Sequence, residues 1–195
     1  MQPGTYDFLL QLYEQPAGCL VETVGEKVVR VEVSGEDASA GTVDLGEIEV
    51  ACRAGPRVGS DMRAYEIVDA RGRQQLINDL KGRHVLLHVW ASWCAPCIAT
   101  MPEIRATVAE LPDERVTFVG LNVDADESRG RALAEKGGWQ WAQNYLGDNS
   151  NMARQLAISS VPAYYLIDTE GRLAAASGDW AEIKRELRNT LQHSD

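Results

Sequence analysis

The sequence predicts an α/β domain, with a mixed central sheet covered by helices on both faces and a short β-rich extension ahead of it. Three observations carry this. Two near-continuous apolar runs, His84 to Trp90 and Val116 to Val123, are the mark of strands buried on both faces. Each run leads into a stretch with helical spacing. Ala95 to Leu111 carries Cys97, Met101, Ile104, Val108 and Leu111, and Glu127 to Lys136 stops at Gly137-Gly138. The chain then closes with two strands, Ala163 to Ile167 and Arg172 to Ala176, joined by Asp168-Thr169-Glu170-Gly171, and an amphipathic helix from Trp180 to Leu191. Strand–helix–strand, then a helix, a hairpin and a helix, is the order of a mixed sheet between helical layers.

The remaining elements fit around this frame. Arg63 to Val68 reads as a strand ending in an Asp69-Ala70-Arg71-Gly72 turn, and Asn149 to Ile158 as a helix with Asp148, Asn149 and Ser150 as cap candidates. Upstream, residues 1–57 form a β-rich segment and residues 58–195 the α/β domain. Lys27 to Ser34 alternates, with Val28, Val29, Val31 and Val33, and Thr42 to Cys52 alternates through Val43, Leu45, Ile48 and Val50. Gly35-Glu36-Asp37 and Gly55-Pro56 read as turns. About fifty residues is thin for an independent sandwich. Two readings stay open: the segment packs on the next domain, or it is the end of a β-sandwich module that starts upstream.

Composition excludes some partners. Acidic residues outnumber basic ones, 29 to 19, for a formal charge of −10. Binding a nucleic-acid backbone needs clustered Lys and Arg, so that class of partner is set aside. No apolar run is long enough to span a bilayer, and the first residues lack the basic start and apolar core of a secretion signal. The expectation is either a cytoplasmic protein or a trimmed chain. Four cysteines in 195 residues do not make a disulfide scaffold.

Two of those cysteines, Cys94 and Cys97, lie where a buried strand gives way to a helix, within Trp93-Cys94-Ala95-Pro96-Cys97. Disulfide exchange needs a thiolate. At the helix start, unsatisfied N–H groups and the macrodipole favour negative charge. Cys94 is therefore the expected nucleophile. Cys97 falls on the apolar stripe and is the expected resolving thiol. Pro96 suits the first turn, where its missing N–H is not needed. Trp90 and Trp93 would wall the site. A zinc site would need two further ligands, which Cys19 and Cys52 supply only by folding back, so no metal is expected. A purely structural bridge is disfavoured because it closes almost no loop.

These residues carry a resemblance. From about Val58 to Leu191 the chain resembles the TlpA/ResA-like branch of the thioredoxin superfamily. The matching segments are Leu80 to Leu87, Trp90 to Cys97, Met101-Pro102-Glu103, Val119 to Asp124, Val161-Pro162 and Leu166 to Arg172, in the family's order over about two-thirds of the chain. The resemblance implies a thioredoxin-like fold and a protein disulfide oxidoreductase that acts mainly as a reductant. It uses no cofactor beyond its redox-active disulfide. Its implied partners are protein clients with disulfides and an upstream thiol reductant, in some relatives membrane-bound. Its implied location is extracytoplasmic, in a bacterial periplasm or cell envelope. The resemblance also implies that Val161-Pro162 is a cis peptide facing the cysteines, with the Val161 backbone pairing an extended client; an ordinary proline leading into a strand is the alternative. Trp93, Ala95, Pro96, Val161 and Pro162 are thus the expected client-binding residues.

Two departures from the family pattern matter. Many relatives have Glu three residues after the second cysteine, where this chain has Thr100. Thioredoxin itself has a buried Asp on the preceding strand, where this chain has His88. A neutral imidazole can move the resolving thiol's proton, so His88 is the candidate base. A core histidine is the alternative. A protonated His88 would instead favour the reduced form.

Other signals are weaker. Asp124-x-Asp126-x-Ser128 copies a calcium loop faintly, but Arg129 stands where that loop needs Gly, so Asp126 reads as a helix cap. Trp139 and Trp141 read as core or loop anchors, with a client surface as the alternative. Cys19 and Cys52 pair only in an oxidising compartment. Two other functions compete with disulfide exchange. One is a peroxiredoxin-type peroxidase, which wants Thr where this chain has Ala91. The other is a redox-inactive binding or sensor module.

Overall fold

The computed structural model describes residues 2–14, 22–40, 43–45, 48, 55–112, 114–147 and 150–192. The described residues divide into two compact units, one made of those before Gly55 and the other of those from Gly55 onward.

In the first unit, β1 (Gly4–Glu14) pairs antiparallel with β2 (Glu22–Val33). The register places Tyr6 opposite Val31 and Phe8 opposite Val29 on one face. Leu9 and Val28 oppose each other on the other face, where both are exposed, beside an Asp7–Arg30 ion pair at 2.8 Å. This alternation is that of a sheet with one apolar face. The expected turn at Gly35-Glu36-Asp37 is instead the start of a short helix, α1 (Gly35–Ala40). Ser34 and Asp37 cap it reciprocally: the Asp37 N–H donates to Ser34 Oγ, and the Ser34 N–H donates to Asp37 Oδ2. The expected strand from Thr42 to Cys52 is not found at 43–45 or 48, which have no regular structure. Gly46 interrupts that run, and glycine weakens a strand. The rest of that run, with Cys52, and Cys19 lie outside the described residues.

The second unit is built on a five-stranded sheet in the order β7-β6-β5-β8-β9. Its strands are β5 (His84–Trp90), β6 (Val116–Asn122), β7 (Ala142–Tyr145), β8 (Ala163–Ile167) and β9 (Leu173–Ser177). β5, β6 and β7 run parallel, β8 runs antiparallel to β5, and β9 antiparallel to β8, so the sheet is mixed. All seven residues of β5 are buried, as its continuous apolar run predicts.

Alternate residues of the strands face two separate cores. Leu86, Trp90, Phe118, Tyr164 and Leu166 face α2 (Ala95–Glu110), α3 (Glu127–Gly137) and α5 (Trp180–Gln192). Val85, Leu87, Val89, Leu121 and Ile167 face α4 (Asn151–Gln155), a small sheet of β3 (Glu66–Val68) with β4 (Gln74–Leu76), and a 3-10 turn at Ile77–Leu80. The sheet is covered on both faces, and the unit has a thioredoxin-like fold. Gly138 ends α3 in the left-handed conformation, φ 62°, with its N–H donating to the Glu135 carbonyl.

Candidate active site

β5 ends at Trp90, and the chain turns at once into α2. The turn is closed by the Cys94 N–H donating to the Ala91 carbonyl at 3.1 Å, so Ser92 and Trp93 are its central residues. Cys94 then caps α2, and its Sγ accepts the Cys97 N–H at 3.1 Å. The residue that starts the chemistry is therefore also the residue that satisfies an orphan donor of the helix. No acidic residue stands in the first turn of α2 to oppose an anion there. Pro96, in that turn, removes no helical bond.

Cys94 and Cys97 are bonded to one another. Cys94 is 4% exposed and Cys97 is fully buried, on the helix stripe with Met101 and Ile104. Trp93 is 63% exposed, and Ala95 and Pro96 are exposed beside it. The Val161–Pro162 peptide is cis, and Val161 packs against the cluster that holds both cysteines. Trp90 lies beneath, donating its indole N–H to Gln143 Oε1 at 3.0 Å and meeting Trp139 edge-on. Trp139 stacks on Trp141, which packs against Phe118, so these two indoles belong to the core.

His88 points to the same face of the sheet as Trp90. It is fully buried, stacks on Tyr164 with ring centroids 4.7 Å apart, and neither ring nitrogen has a hydrogen-bond partner among the described residues. Burial pushes its imidazole down to about 3 from an ordinary 6.5. Burial therefore favours the neutral imidazole over the cation at rest. Thr100 does not replace the missing Glu, because its hydroxyl donates to the Pro96 carbonyl of its own helix. Asp126 caps α3 by accepting the Ser128 N–H, which is the role expected of it. Among the described residues no cluster of His, Cys, Asp and Glu is arranged to hold a metal.

One buried group escapes the sequence reading. Asp124, just past β6, is 2% exposed and accepts from the Ser92 N–H, the Ser92 hydroxyl and the Asn122 side-chain amide. The signal that could have found it is the register. Trp90 lies opposite Asn122, which brings positions 92 and 124 together past the strand ends.

Comparison with known proteins places this geometry. The model of the AhpC/TSA family matches residues 58–176. The thiol-disulfide oxidoreductase ResA of Bacillus cereus is 22% identical over 137 residues, covering 70% of this chain and 78% of that protein. The thioredoxin-like protein YneN of Bacillus subtilis (strain 168) is 27% identical over 120 residues, covering 60% and 69%. The crystal structure of the thioredoxin domain of a thiol-disulfide oxidoreductase from Bacteroides vulgatus superposes with a TM-score of 0.60 at 24% identity, covering 68% of this chain and 96% of that one.

Proposed function

The chain belongs to the AhpC/TSA family and is a thiol–disulfide oxidoreductase of the TlpA/ResA-like kind, and from that premise we propose that it reduces disulfides in protein clients through Cys94 and Cys97. The observation that carries this is the double role of Cys94, which caps α2 with its sulfur and is bonded to Cys97.

In the proposed cycle the reduced Cys94 thiolate attacks one sulfur of a client disulfide. The client S–S bond breaks, a Cys94–client disulfide forms, and the second client sulfur leaves as a thiolate. Cys97 then gives up its proton and attacks Cys94 Sγ. That forms the intramolecular disulfide and frees the client's remaining thiolate. The client gains two electrons and two protons, and the enzyme dithiol is oxidised. An upstream thiol reductant returns it to the dithiol.

His88 is the proposed acceptor of the Cys97 proton. Its ring is neutral, as a base must be, although burial makes the imidazolium costly unless the new thiolate pairs with it. Trp93, Ala95 and Pro96 give the client an exposed surface beside the sulfurs, and the Val161 backbone is the proposed partner of an extended client strand. Ala91, which stands where a peroxidase would want Thr, is buried and brings no hydroxyl. The proposed location is extracytoplasmic, on the family resemblance; among the described residues no helix is long and apolar enough to cross a membrane.

The test is a Cys97→Ser trap combined with insulin reduction. The intact protein is expected to reduce insulin, and Cys97→Ser to accumulate mixed disulfides with client proteins through Cys94. Absence of both would overturn the assignment.

A further inference from the structure

Disulfide exchange needs Cys94 held at the amino end of α2, and the turn that delivers it is buried at its ends, Ala91 and Cys94, but carries an exposed Trp93 and a half-buried Ser92 at its centre. Something must fix that turn. The answer lies across the sheet, past the end of β6.

Ser92 presents two donors inside the turn, its backbone N–H and its hydroxyl. Both end on Asp124: the N–H reaches Oδ2 at 2.9 Å and the hydroxyl reaches Oδ1 at 2.8 Å. Asp124 is itself held. Asn122 Nδ2 donates to Oδ2 at 2.8 Å, and the Asp124 N–H donates back to Asn122 Oδ1 at 3.2 Å. Asn122 is fully buried, and its carbonyl accepts the Leu146 N–H. Gly130 of α3 leaves room for it, since a Cβ there would stand 2.6 Å from the Asn122 amide atoms. The Val123 N–H donates to the Trp90 carbonyl at 3.0 Å, which aligns the two strand ends. Three donors thus converge on a buried carboxylate whose own position is fixed by β6 and α3. Charge-assisted bonds of this kind are the stronger ones, and a buried backbone N–H needs a partner.

We propose that Asp124 is a positioning residue for the exchange reaction: through Ser92 it locks the Ala91–Cys94 turn and so keeps Cys94 Sγ at the helix end. The proposal rests on the disulfide-exchange reading. It adds a residue that touches neither cysteine in the reaction and acts only through the turn. A carboxylate under the turn cannot help the thiolate by its charge, which opposes it. Its benefit is geometric, and this gives the proposal a sign of its own.

The experiment measures the pH dependence of Cys94 alkylation in the reduced full chain, for the wild type, Asp124→Asn, Ser92→Ala and the double variant, with urea unfolding alongside. Asn keeps the shape of Asp but must turn an amide N–H toward a Ser92 donor. Ser92→Ala keeps the carboxylate and the backbone bond and removes one contact at a half-buried site, so it folds even if Asp124→Asn does not. Both single variants are expected to slow Cys94 alkylation at pH 6 by about three- to tenfold, the range expected for losing a favourable placement at a helix end. The double variant is expected to lose less than the product of the two.

Three results would overturn the proposal. Asp124→Asn could speed alkylation, which would make the charge the dominant effect. Both profiles could stay unchanged while the unfolding midpoint falls, which would make the network merely structural. The two losses could multiply, which would make the residues independent. A wild-type thiol that titrates like free cysteine, near about 8.5, would overturn the disulfide-exchange reading as well. A depressed wild-type value with unshifted variants would overturn this inference alone.

Discussion

The loop end of the sheet and its interior handle buried polarity in opposite ways. At the loop end, both Asp124 oxygens accept hydrogen bonds and its backbone N–H is also used. In the interior, two strand residues before Trp90, His88 sits fully buried with neither ring nitrogen partnered among the described residues. A satisfied buried polar group specifies position, because every movement breaks a bond that water cannot replace. An unsatisfied one specifies little and costs stability, so its presence on the dithiol face calls for a chemical reason. The contrast is the one expected if Asp124 has the positioning role and His88 the proton-transfer role proposed for them.

That contrast is breakable by measurement. The largest effect is expected for Asp124→Leu, which strips three donors of their acceptor. The loss should be about 4 kcal/mol in urea unfolding, since each orphaned buried donor costs about 1–3 kcal/mol. A loss below about 1 kcal/mol would mean that water reaches the network.

Acid sensitivity comes next. Because His88 titrates near 3 when folded and near 6.5 when unfolded, the unfolded chain takes up that proton first as pH falls. The contribution is fully present above pH 6.5 and is lost on going down toward 3, at a limiting rate of about 1.4 kcal/mol per unit. Against His88→Leu, the wild type should therefore lose about 3 kcal/mol more between about pH 7 and about pH 4. Burial also pushes His84 down, but it titrates in both proteins and cancels from the difference. Equal pH profiles would place water or a partner on His88.

Gly130→Ala should cost about 2 kcal/mol by driving a Cβ into Asn122, as overpacking does. The smallest effect is His88→Leu at neutral pH. Removing unpaired nitrogens but also the stack on Tyr164 should leave stability unchanged or raise it by about 1 kcal/mol. A loss of several kcal/mol there would erase the contrast. The same variant should slow the resolving step at low pH more than at high pH, if His88 takes the Cys97 proton.

Much of the frame is legible because its signals are local. β5 is a continuous apolar run, α2 follows an apolar stripe from Cys97, and the caps at Asp126 and Gly138 stand at positions that dictate them. What escapes depends on non-local pairing. β7 reads as polar because Gln143 bonds the Trp90 indole and Asn144 bonds the backbone of Val68 on β3. Those side chains serve the fold only after the sheet has formed. β1 does not stand out because its alternation has meaning only against β2. At the site, the cysteines are readable from spacing and helix position. The grip of Asp124 on Ser92 is not, because it follows from the parallel register of β5 and β6.

The most direct measurement is the midpoint potential of the Cys94/Cys97 couple in the full chain, equilibrated against glutathione or dithiothreitol. A client-reducing enzyme predicts a value near that of thioredoxin, about −270 mV. A value near about −120 mV, the range of a dedicated oxidant, would contradict it.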